Sequence, residues 1–315
     1  MESWKENLRW DIDLSLRGTV DGEGEAAFLG ALGLDLHKIV RRGDGRDLAT
    51  LVFQPYLLRG DTTSSNPPIF EDEHDFALQW RISNVNLNLR GDGTLNVRAG
   101  HFEIPFGLEQ NLDTNGTLRR TPHQANFGFV ADWGLTLNGA LEHLDYEIAW
   151  SRGSGNEYQD PGGDGVLSGR IGTPVEDDLT LGLSMVHGDI ASGDSTRSIS
   201  RVAADATTYW RSLGFQAELS HGDDSDQVRS TRALLEVNST NRHETTLGWV
   251  QLIGTNNEPK ATASGVVDGT LFEARLGALW RFSRRVTFSA QLTQPLGGNS
   301  SDREPSVALQ LRCRF

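Results

Sequence analysis

Residues 8–20 read LRWDIDLSLRGTV, and this stretch decides the fold. Leu8, Trp10, Ile12, Leu14 and Leu16 fall on one side of an extended chain, while Arg9, Asp11, Asp13, Ser15 and Arg17 fall on the other. Alternation with period two predicts a strand. Nine such residues at about 3.3 Å each, tilted by about 40°, cover roughly 23 Å, close to the apolar band of about 25 Å on a transmembrane barrel. Strands of water-soluble sheets alternate in the same way but run only about 5–6 residues.

The device recurs along the chain. Phe28, Leu32, Leu34 and Leu36 alternate with Asp35 and His37, and Leu51, Phe53 and Leu57 with Gln54 and Tyr56. Phe76, Leu78, Trp80 and Ile82 oppose Gln79, Arg81 and Ser83, and a phase change near Asn84 predicts a bulge before Val85, Leu87 and Leu89. Leu95, Val97 and Ala99 follow, and the series closes on Val307, Leu309, Leu311, Cys313 and Phe315. Weaker strands fall near 165–173, 198–208, 228–237 and 243–253, where the outward face is not decided by pattern. The total is about sixteen strands, at roughly 20 residues per strand and connection, and an even number suits a bacterial single-chain barrel. Short turns, such as GDG at 91–93, alternate with longer polar connections at 60–74, 105–130, 152–164, 188–197, 254–265 and 295–305. The expected fold is therefore all-β: one closed antiparallel transmembrane barrel over residues 1–315, with long extracellular loops, short periplasmic turns and both termini at the periplasmic end. Closure follows from energetics, because an unpaired backbone group in hydrocarbon costs several kcal/mol.

Composition agrees by exclusion. Of 315 residues, 37% are hydrophobic and 23% charged, and no stretch approaches the roughly 18–20 apolar residues of a spanning helix. A net charge of −14 argues against nucleic acid as a partner, which clustered Lys and Arg would have to meet. The single cysteine, Cys313, excludes an internal disulfide and a haem attachment built on two cysteines. MESWKENLRW at the start lacks the parts of a secretory leader, so a bacterial outer-membrane location implies that a leader was removed. Phe315 ends a lipid-facing strand, the phase in which outer-membrane barrels carry a terminal aromatic for their assembly machinery. Trp10, Tyr209, Trp210, Trp280 and Phe315 gather toward one rim, and Phe127, Phe129, Trp133 and Trp150 toward the other, as interfacial girdles do.

At 98–109 the chain reads RAGHFEIPFGLE, where the fifth strand ends and the longest loop begins. Pro105 removes a ladder donor and Gly107 permits an unusual dihedral, so the chain can turn inward there. The segment resembles that of the phosphate-selective porin O/P family, through Gly100, Phe102, Pro105, Phe106, Gly107 and Glu109. The resemblance implies an outer-membrane porin whose third loop, 105–130, lines and narrows the pore. Constriction residues are then Pro105, Phe106, Gly107, Glu109, Asp113, Arg119, Arg120 and His123. The Arg ladders and clustered Lys associated with phosphate selectivity in that family meet only three lysines here, Lys5, Lys38 and Lys260.

By phase, Arg9, Arg17, Arg81, Arg90, Arg98, Arg312 and Arg314 face the lumen, balanced by Asp11, Asp13, Asp35, Asp145, Glu147 and Glu218. A mixed wall makes a transverse field rather than a filter for one sign. EDEHD at 71–75 and HGDDSD at 221–226 hold carboxylates at short spacing, but neither matches a calcium loop, and acidic outer loops can equally bridge to anionic lipid heads through divalent ions. DPGGDG at 160–165 lacks the ending of a phosphate-binding loop, and no Ser, His and Asp spacing assembles a triad. The expectation is a non-enzymatic, cofactor-free channel for diffusion of small hydrophilic solutes or ions through outer-membrane lipid, with a homotrimer left open. The alternative is a barrel sheathing a partner protein in its lumen, such as a multihaem cytochrome.

Overall fold

Sixteen strands form one closed antiparallel barrel in which each strand pairs with its neighbours in sequence and β1 closes on β16. In chain order they are β1 Leu8–Asp21, β2 Ala26–Arg41, β3 Asp47–Gly60, β4 Ala77–Asn88, β5 Asn96–Glu103, β6 Ala131–Ala140, β7 Asp145–Ser151 and β8 Val166–Gly172. They continue as β9 Leu179–Ser192, β10 Ser195–Trp210, β11 Leu213–Asp223, β12 Val228–Thr240, β13 Thr246–Pro259, β14 Gly269–Arg281, β15 Val286–Gly298 and β16 Ser306–Arg314. The structure, a computed structural model, describes residues 7–60, 77–108, 117–122, 126–156, 163–174, 177–192, 195–225, 228–260, 269–298 and 304–315. Glu109, Asp113, His123, the 71–75 cluster and the first half of the 160–165 turn lie outside the described residues.

Closure runs from Asp13 opposite Arg314 to Asp21 opposite Ser306, and Ile12 and Phe315 exchange both backbone hydrogen bonds at 2.9 and 3.0 Å. No strand edge is left along this seam, as a sheet in hydrocarbon requires. The alternation sorts side chains inside out: Leu14, Leu183 and Leu309 are exposed on the outer wall, whereas Asp13, Ser15 and Arg17 are buried within. An exterior of this kind far exceeds the apolar patches tolerated in water. Trp10, Tyr209, Trp210 and Phe315 are exposed at the end of the barrel that carries the short turns.

Four details depart from the sequence expectation. The connection placed at 188–197 is mostly strand, since β9 runs to Ser192 and β10 starts at Ser195; likewise β13 reaches Pro259 and β15 reaches Gly298. Polar residues continue the ladder there, because backbone pairing does not need an apolar outer face. The bulge in β4 comes earlier than Asn84. Pro55 pairs with Trp80 and Phe53 with Ser83, so Arg81 and Ile82 together oppose Gln54. Ile82 then borders a luminal cavity, and Ser83 takes the outward phase of Val85 and Leu87. Arg90 lies beyond the end of β4, exposed in the turn. Phe127 is no girdle residue: it is 1% exposed and packs inside the barrel.

Candidate functional site

The lumen is crossed by the segment between β5 and β6, and its docking begins with an exception to the wall's polarity. Val166 on β8, Val186 and Ile190 on β9, and Ile199 and Ala203 on β10 form a buried apolar pad. Ile104, Phe106 and Phe127 of the loop pack on it, with the Phe106 and Phe127 rings edge to face at 5.3 Å. Burial of each such side chain contributes on the order of 1.5–3 kcal/mol, enough to hold the loop against the wall.

Polar anchors set where the loop goes next. Gly107 has a φ of +63°, and a Cβ there would collide with the Glu218 carboxylate. Its N–H donates to Ser184 Oγ on β9 at 3.0 Å, and the N–H of Leu108 donates to Glu218 Oε2 on β11 at 2.8 Å. After the undescribed stretch, Arg119 Nε and Nη2 donate to Glu236 on β12 and Gln216 on β11 at 3.2 and 2.9 Å. Gln251 on β13 clamps the Arg120 backbone at both ends: its Oε1 accepts from the N–H at 3.3 Å and its Nε2 donates to the carbonyl at 2.7 Å. The carbonyl of Thr117 accepts from Arg17 Nη2 on β1 at 3.4 Å. Contacts from β9 to β13 and on to β1 carry the loop across the inside of the cylinder.

The loop's return to β6 is held by arginines. Asn126 Oδ1 accepts from Arg232 Nη1 at 3.0 Å and from Ser220 Oγ at 3.3 Å, and Arg197 Nη2 donates to the Phe127 carbonyl at 3.1 Å. Asp224, just past β11, neutralises Arg232 at 2.5 Å and also pairs with Arg201. Burial would raise the Asp224 pKa, but the hydrogen bond and charge of Arg232, reinforced by Arg201 and Ser230, hold it below the ordinary carboxylate value.

Across the lumen the charges come in pairs. Arg312 grips Asp13, Arg314 reaches both Asp13 and Asp35, and the Tyr56 hydroxyl lies 3.0 Å from each of these carboxylates. Arg81 sits 3.7 Å from Glu103 and donates to Gln54 Oε1 at 3.1 Å. Arg98 meets Glu147 at 3.1 Å and Arg170 meets Asp205 at 2.6 Å. Arg9 and Asp11 pair at 3.2 Å at the end of the lumen with the short turns, where Arg9 is well exposed. Asp145 borders the same cavity as Arg98 and Glu147.

Sequence reasoning missed Arg170, Asp205, Arg201, Arg232, Glu236 and Gln251, all on strands whose outward face it left undecided. It expected Arg119 in the open path, but that side chain is turned to the wall. The acidic run at 221–226 has Asp223 paired with Arg229 at 2.9 Å and Lys260 at 3.0 Å, and Asp224 with two arginines, so these two carboxylates are committed to cations of the chain.

No family model matches the chain, and comparison with curated protein sequences finds no match. Solved structures do match in shape. A daunomycin complex of Salmonella typhi OmpF aligns over 100% of both chains at 10% identity, with a TM-score of 0.71. Pseudomonas putida OprB aligns over 98% of this chain and 94% of its own at 11% identity and TM-score 0.70. An anion-selective porin from Comamonas acidovorans covers 98% of this chain and 99% of its own at 12% identity and TM-score 0.68. Across nearly the whole length, the chain has the sixteen-stranded barrel fold of outer-membrane porins.

Proposed function

We propose that the chain is an outer-membrane channel through which small hydrophilic solutes and ions diffuse passively. The observation that carries this reading is the inward loop: a closed cylinder, oily outside and polar inside, is crossed by a segment bonded to β1, β9, β11, β12 and β13. Sixteen strands enclose more space than side chains alone fill, and a loop held at several points around the wall narrows that space without moving parts or an energy source. Residues 98–108 lead into this loop, and the resemblance of RAGHFEIPFGLE to the phosphate-selective porin O/P family supports a pore-lining role for it. The pairing of Asp13, Glu103, Glu147, Asp205 and Glu236 with arginines favours a weakly charge-selective pore over one dedicated to phosphate. The loop end faces the exterior in this reading, and a homotrimer is the assembly proposed, by analogy with barrels of this size.

The reading as a sheath around a protein partner loses support from the same loop, whose segments occupy the space a partner would need. Planar-bilayer recording separates the two. Stepwise, ohmic openings by the purified barrel are expected; silent insertion together with a co-purifying cytochrome would leave the channel reading without a basis.

A further inference from the structure

We propose that the luminal cavity beside β4, β5, β6 and β7 is a subsite for a neutral, polyhydroxylated solute of the sugar class, an inference that rests on the channel reading above. The cavity has a volume of about 380 Å³, within the range of roughly 300–1,000 Å³ usual for small-molecule sites. Three asparagines border it, Asn84, Asn96 and Asn138. The alternation of SNVNLN at 83–88 puts Asn84 and Asn86 on the inner face of β4, and the register sets Asn96 opposite Asn138.

These amides form a partly satisfied network. Asn96 Nδ2 donates to Asn138 Oδ1 at 3.2 Å, and Asn138 Nδ2 donates to Asn86 Oδ1 at 3.4 Å and to Thr136 Oγ1 at 3.0 Å. Asn84 Nδ2 donates to the His101 carbonyl at 3.1 Å. Among the described residues, the oxygens of Asn84 and Asn96 and the second N–H of Asn84 Nδ2 have no further protein partner, so the lining offers both acceptors and a donor. A hydroxyl is itself donor and acceptor, and a vicinal pair of hydroxyls matches an amide that presents one of each. Ile82 supplies an apolar contact in the same cavity, suited to the C–H face of a sugar ring.

Charge decides against an ionic occupant. Arg98 is neutralised by Glu147 at 3.1 Å, Glu103 by Arg81 at 3.7 Å and Arg170 by Asp205 at 2.6 Å, and Asp145, the remaining charged group on the lining, is also engaged within the protein. An incoming ion would have to displace one of these partners, whereas a neutral hydroxyl can join the network as it stands.

The test is channel current recorded with increasing maltose, compared with an inert poly(ethylene glycol) of similar size at matched viscosity. Maltose is expected to lower the current saturably beyond the polymer. The half-saturating concentration should rise at least tenfold in Asn84→Leu/Asn138→Leu and stay at the wild-type value in Ser289→Ala, on the inner face of β15. Equal effects of maltose and polymer on an otherwise conducting wild-type channel would overturn the sugar subsite and leave the channel reading intact. A saturable block unchanged in the double variant would overturn this location. Absence of any conductance would remove the channel reading and this inference with it. Should the double variant fail to assemble, the wild-type comparison of maltose with polymer decides.

Discussion

Arg312 on the last strand holds both carboxylate oxygens of Asp13 on the first, with Nε 2.8 and 2.9 Å from them. Arg314, two residues on and on the same face, reaches past Asp13 to Asp35 on β2. The ends of the chain are thus tied by side chains as well as by the β1–β16 ladder. A single hydroxyl proton cannot serve both carboxylates beside Tyr56 at once, so the arginines carry the balance of charge.

Loss of the buried Asp13 carboxylate leaves the part-buried Arg312 beside a neutral group. Asp13→Asn is expected to destabilise the barrel by about 3 kcal/mol, the lower end of the cost of breaking a buried pair from one side. Tyr56→Phe, which removes one hydrogen bond and no charge, should cost about 1 kcal/mol. Urea unfolding in detergent, followed by tryptophan fluorescence, measures both. Equal midpoints for Asp13→Asn and wild type would refute a load on the seam.

Arg119 and Arg120 are adjacent yet positioned differently, so their charge reversals should part. Arg119→Glu sets a carboxylate against Glu236 and should release the loop, giving larger and noisier conductance. Arg120 is held through its backbone by Gln251. Arg120→Glu should therefore keep the loop docked and move the reversal potential in a salt gradient toward cations. Identical behaviour of the two variants would contradict this division.

The outer wall was legible because lipid demands one thing of every strand. Leu14, Leu183 and Leu309 repeat at period two, so strand number and closure followed from pattern alone. The inner wall obeys two demands at once. On β8 and β10, Val166, Ile199 and Ala203 are apolar on the luminal side because Ile104, Phe106 and Phe127 dock there. That second apolar face blurred the alternation in the stretches whose orientation stayed undecided, and it hid Arg170, Arg201 and Asp205 with them. Pro105 and Gly107 marked where the loop turns inward, but not where it lands, since Ser184, Glu236 and Gln251 lie 77 to 131 residues further along the chain from the loop residues they bind. The bulge was foreseen and misplaced because Arg81 and Ile82 break the alternation before Asn84 makes the break visible.

Acid should loosen the loop's return only at low pH. Asp224 has a folded pKa below its ordinary 3.8, so its contribution is complete above 3.8 and is lost as pH falls through the lower folded value. Current noise should stay flat from pH 7 to about 4.5 as far as this group is concerned. Asp224→Asn should bring low-pH noise to pH 7, with Arg201 and Arg232 left repelling one another. A variant as quiet as wild type at pH 7 would show that the arginines hold Asn126 and Phe127 without it.

Gly107 tests whether the inward turn itself sets the pore width. Its positive φ disfavours any side chain by about 1 kcal/mol, and the space a Cβ would need is already filled by the Glu218 carboxylate that receives the Leu108 N–H. Gly107→Ala must therefore either strain the turn or push Glu218 away, and each response weakens the loop's first polar anchor on β11. The pad beneath Phe106 should still hold, so the barrel is expected to fold with a urea midpoint lowered only slightly, about as much as in Tyr56→Phe, while single-channel conductance rises. Glu218→Gln provides the comparison, because it keeps an acceptor for the Leu108 N–H without the charge and should perturb conductance less. Wild-type conductance in Gly107→Ala would place the narrowest point of the channel away from this turn.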